Sequence, residues 1–181
     1  MARSSALRVA AIIAAVLVVA IGWYLGSPLF IRTTANEAAP TVAASPAASA
    51  NESFPRETLG SIGPTPRVVA TLDVARGELQ YVDTIHNGKG PVTLLRVGDR
   101  YVVRFENVMI TNAPDVHVYL ARETGGKWND ATSLYLGALK ATNGSFNYDL
   151  PDKTDVTPYK SVVVWCRAFS VLITWADLLV L

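Results

Sequence analysis

One cysteine, Cys166, two histidines, His86 and His117, and a methionine at Met109 are the side chains of this sequence best suited to redox or metal chemistry. Cys166 lies in the apolar segment VVVWCRAFSVLITW. A thiolate there would serve as a nucleophile or as a soft ligand to a metal or haem. A free cysteine in such a segment also reads as a small buried hydrophobe. With a single cysteine no internal disulfide forms, and CxxC, CxxCH and zinc-ligand spacings are absent. His117 falls in PDVHVYL, where strand alternation puts Asp115, His117 and Tyr119 on one face and Val116, Val118 and Leu120 on the other. Such a row suits metal binding or acid–base work, and equally the polar, solvated face of a half-buried strand. His86 opens the turn His-Asn-Gly-Lys-Gly, and Met109 is either a soft ligand or packing. Which metal, if any, these residues would hold stays open. Nucleophile motifs, phosphate loops and paired carboxylates are missing, which points away from a hydrolase or transferase.

The elements that must position these residues are strands. RVVATLDV, GELQYVDTIH, GPVTLLRV, RYVVRFENVMI, DVHVYLA, SLYLGALK, SFNYDLP, KSVVVWC and FSVLITWA are rich in β-branched and aromatic residues. Turn signals such as Asn87-Gly88, Gly125-Gly126 and Asn143-Gly144 separate them. In RYVVRFENV, Val102, Arg104 and Glu106 should share one face, with Tyr101, Val103, Phe105 and Asn107 on the other. Residues 67–181 are therefore expected to form one all-β domain, an antiparallel β-sandwich or a barrel-like sheet.

The first third of the chain has a different character. An uncharged run from Val9 to Ile31 is bracketed by Arg8 and Arg32. As a helix rising about 1.5 Å per residue it reaches roughly 35 Å, enough for a hydrocarbon core of about 30 Å. Residues 9–31 are expected to be a transmembrane anchor, an uncleaved signal anchor in preference to a cleaved signal peptide. The leader, residues 1–8, carries Arg3 and Arg8 and no acid. The positive-inside rule places it in the cytoplasm, which makes the chain single-pass with its C-terminal domain extracytoplasmic. Residues 32–66, rich in Ala, Ser, Thr and Pro, are expected to be a disordered linker. The net charge of +1 leaves no electrostatic footprint for nucleic acid.

The order of residues along the domain resembles the DM-thirteen family, an exported module common in bacterial membrane-anchored proteins. The resemblance is carried by Gly77, by His86 with Gly88 and Gly90, by RYVVRFENVMI, and by Asn112 to Leu120. It continues through Leu136 to Lys140, Gly144, Tyr148 to Pro151, Tyr159 to Val171, and Ala176-Asp177-Leu178. The segment Val171 to Ala176 departs from the family pattern, where Phe-Gly-x-Ala is expected. What the resemblance implies is an electron-transfer role with a redox partner protein. It makes Cys166 the characteristic cysteine, either a naked redox thiol or a ligand to a prosthetic group such as haem. The rival expectation is a non-catalytic extracytoplasmic binding or surface-organising module in which Cys166 is structural.

Overall fold

The computed structural model describes residues 2–27, 32–41 and 71–181. The N-terminal run forms α1 (Ala2–Gly26), whose length follows from an Ala/Val/Leu/Ile sequence without an internal proline. Among the described residues no helix is long and apolar enough to cross a membrane. The expected span 9–31 extends into residues 28–31, and most of the expected linker (42–66) also lies outside the described residues.

The first residues after the expected anchor depart from the expectation of a linker. They form β1 (Thr34–Asn36), which pairs in parallel with β8 (Asn143–Asp149). The rest of the first sheet is β2 (Thr71–Glu78), β3 (Gly88–Lys89), β4 (Pro91–Val97), β5 (Arg100–Ile110) and β11 (Leu179–Val180). Its order is β1-β8-β5-β4-β2-β11, with β3 on β5. The second sheet contains β6 (Val116–Ala121), β7 (Leu134–Ala138), β9 (Ser161–Cys166) and β10 (Val171–Asp177), in the order β10-β9-β6-β7. The two sheets pack face to face as an open sandwich, not a closed barrel, because none of the described strands pairs across them and each sheet contributes one apolar face to a shared core. Val92, Leu94, Val103, Phe105 and Phe146 come from the first sheet, and Val116, Val118, Leu120, Val162, Val164 and Ile173 from the second. Phe105 and Phe146 stack at 4.9 Å across β5 and β8.

Two local readings of the sequence are corrected. GELQYVDTIH is not one strand: β2 ends at Glu78, and residues 79–87 turn away. Asp83 closes the turn within this stretch: its carboxylate accepts the backbone N–H of Ile85 at 2.7 Å and of His86 at 2.6 Å, offering the backbone an alternative to a ladder. In β5, simple alternation fails at a bulge between Phe105 and Val108, with Asn107 at φ 47°. The extra residue shifts the register, so Val108 and Ile110 point into the core after Phe105.

Candidate redox site

Cys166 ends β9 on its core-facing side, beside its pairing partner Val116 on β6. It is 0 % exposed, and its thiol donates to the Pro114 carbonyl at 2.8 Å. One residue later, the Arg167 amide donates to the Asp115 carbonyl at 3.0 Å. These two bonds hold the Asn112–Asp115 turn against the end of β9. Asp115 takes a φ of 60°, a left-handed conformation that aspartate tolerates better than most residues. The sequence motif is thus explained locally: Pro114 supplies the acceptor, and Asp115 the sharp entry into β6.

On the opposite face of β6 and β9 lies a second arrangement. His117 and Tyr119 alternate with the core residues, and Trp165 pairs with His117 on β9. Tyr135 of β7 pairs with Tyr119. The expectation of a solvated face at His117 and Tyr119 is corrected here, since they are only 8 % and 1 % exposed. The cover is the connection from β6 to β7, residues 122–133, which lays Trp128 against Tyr119 at 4.4 Å and against Trp165 at 5.1 Å. Gly126 lets this connection approach β10, because a Cβ there would lie 2.6 Å from Leu172. Asp177 secures it by accepting the Gly125 amide at 2.9 Å.

Polar groups in this layer are tightly partnered. His117 Nε2 lies 2.6 Å from Asp115 Oδ1, and Nδ1 lies 2.9 Å from the Tyr135 hydroxyl. Arg167 donates from Nε to the Tyr119 hydroxyl at 2.7 Å and sits over the Tyr135 ring at 4.7 Å. Burial pushes the Tyr119 phenol up, against the lowering effect of Arg167. The expected grouping of Asp115 and His117 is therefore present, but it faces away from Cys166.

The remaining candidates lie elsewhere. His86 pairs with Asp83 at 2.8 Å in the loop before β3. Met109, 41 % exposed, lines a shallow cleft of the first sheet with Arg32, Asn87 and Asn143. Among the described residues no three His, Cys, Asp or Glu side chains converge on a metal-sized site. Tyr135, Trp128 and the covering connection were not singled out by sequence. The available signal was Trp128, a large aromatic isolated among Gly, Lys, Asn and Asp.

A family model described as electron transfer DM13 matches residues 80–178. The chain belongs to this DM13 family. No curated protein and no solved structure matches it. The matched span contains the whole of the second sheet, with Cys166, His117 and the aromatic layer. Haem, which the resemblance raises as a partner of the DM13 cysteine, does not fit the geometry at Cys166. The sulfur is wholly enclosed by core side chains, its hydrogen is committed to Pro114, and an iron has no line of approach to it.

Proposed function

We propose that this chain is a membrane-tethered, extracytoplasmic electron-transfer domain that serves a redox partner protein. The observation that carries this reading is the electron transfer DM13 match over residues 80–178. The tether draws on the uncharged run from Val9 to Ile31 and the acid-free, Arg-bearing leader, which together argue for a single pass with the N-terminus cytoplasmic.

In this reading Cys166, the characteristic residue of the family, does not touch the partner, because its sulfur has no exposed surface. Thiol exchange would need the sandwich to open. One specific observation favours a second reading, a binding or surface-organising module in which Cys166 is structural: its hydrogen bond to Pro114 ties the β6 turn to β9.

Electrochemical titration of the full-length chain in detergent micelles, beside Cys166→Ala, tests the proposal. Reversible one-electron exchange in the wild type is expected. Its loss in a folded Cys166→Ala variant assigns the carrier to the cysteine, and its retention makes Cys166 structural within an electron-transfer domain. A wild type that exchanges no electrons overturns electron transfer and leaves the binding module.

A further inference from the structure

Besides cysteine, tyrosine and tryptophan are the side chains that give up single electrons most readily, and four of them, Trp165, Trp128, Tyr119 and Tyr135, are assembled in one layer of this domain. Trp165 is the chain neighbour of Cys166 and points to the opposite face of β9. From Trp165 the rings run to Trp128 at 5.1 Å, to Tyr119 at 4.4 Å and to Tyr135 at 5.4 Å. Tyr135 ends the series at the surface, 46 % exposed.

What separates Tyr135 from the other rings is a base. A phenol that loses an electron becomes a very strong acid, so its oxidation is easy only where its proton has somewhere to go. A carboxylate accepts and does not donate, so in the neutral imidazole the 2.6 Å contact with Asp115 puts the His117 proton on Nε2. Nδ1 is then a lone pair, and it faces the Tyr135 hydroxyl at 2.9 Å, within the reach proton transfer requires. Tyr119 lacks this arrangement: the partner at its hydroxyl is Arg167, which donates and cannot take a proton.

We propose that Tyr135 is the residue through which this domain exchanges electrons with its partner, with His117 as its proton acceptor. The inference rests on the electron-transfer reading but not on the role of Cys166. In the forward step the Tyr135 phenol gives one electron to a one-electron oxidant, the oxidised metal centre of a partner redox protein. Its hydroxyl proton moves to His117 Nδ1, leaving a neutral tyrosyl radical beside an imidazolium held by Asp115. In the reverse step one electron returns from the reduced partner, and the proton goes back from Nδ1 to the phenolic oxygen. Asp115 positions the imidazole and stabilises its charged form.

The test is flash oxidation of the full-length chain in detergent micelles by photogenerated tris(bipyridine)ruthenium(III), followed by transient absorption and electron paramagnetic resonance. The wild type is expected to show a neutral tyrosyl radical. Tyr135→Phe should slow its formation at least about tenfold, and His117→Gln, which keeps an acceptor for the phenol without a base, should slow it to about the same extent. Tyr81→Phe, removing a tyrosine that is 61 % exposed, should change nothing. Circular dichroism shows whether each variant is folded, and Tyr135→Phe removes only one half-exposed hydroxyl. A tyrosyl radical formed at the same rate without Tyr135, or with Gln at position 117, overturns this proposal and leaves electron transfer standing. A wild type that yields no protein radical overturns both.

Discussion

Asp83 shows how much one side chain decides. The hydrogen bond from the His86 ring, joined by the backbone amides of His86 and Ile85, holds its carboxyl at about 2, against the usual 3.8. A depressed carboxylate stabilises the folded loop fully above its ordinary range, and that contribution is lost as pH falls through the folded value. Carbon NMR of the Asp83 carboxyl should therefore titrate near 2 in the wild type. In His86→Ala the midpoint should return towards 3.8; an unchanged midpoint would refute the assigned cause. His86 is thus accounted for by the turn it closes, as Met109 is by the surface of the first sheet. His117 is a different case, since its ring joins groups from two strands and one turn.

At the scale of elements, β1 is the clearest departure from the sequence. Thr34–Asn36 lie in a stretch with linker composition, yet the Glu37 amide donates to Ser145 O at 2.8 Å, and the Thr142 and Asn143 amides donate to Thr33 O at 3.1 and 3.0 Å. The Glu37 carboxylate also accepts from Asn147 N and from Lys140 Nζ, both at 2.9 Å. Desolvation raises the Glu37 carboxyl, but these bonds outweigh it and the net shift is downward. The segment covers what would otherwise be the open edge of β8, which is a reason for a polar sequence to adopt a strand. Counting about 1 kcal/mol for each of the three backbone hydrogen bonds and nothing for the solvent-screened Glu37 carboxylate, starting the chain at residue 42 should cost about 3 kcal/mol relative to starting it at residue 32. Thermal melts of the two should differ by roughly 10 °C; equal melts would show that β1 contributes nothing. The 122–133 connection acts in the same way on the second sheet. It makes β6 buried on both faces, which strand alternation alone reads as half solvated.

For the whole molecule, the arrangement puts the aromatic layer on the outer face of the second sheet and β1, the link towards α1, on the edge of the first. If residues 9–31 anchor the chain, the full-length protein should stay with the membrane pellet after alkaline carbonate extraction, and a chain lacking residues 1–27 should be released. Immunoblotting both fractions checks this, and release of the full-length chain would exclude a spanning anchor. The all-β class, the run of strands from Thr71 onward and the membership signalled by PDVHVYL and VVVWC were legible because period-2 alternation and turn chemistry are local. The choice between sandwich and barrel was not, because it depends on which strand edges remain unpaired.

The sequence by itself determined the chemical inventory: one thiol, two imidazoles, an apolar N-terminal run and a β-forming remainder. Even the facing of Cys166 away from Trp165 followed from alternation along β9. Only the tertiary structure decided that the thiol is sealed in the core, and that Tyr135 and Trp128 meet His117, Tyr119 and Trp165. The physical reason is sequence separation. Spacing along one strand specifies which side chains share a face, but pairing between strands and the path of a covering connection specify which faces meet, and those arise from the packing of the whole chain.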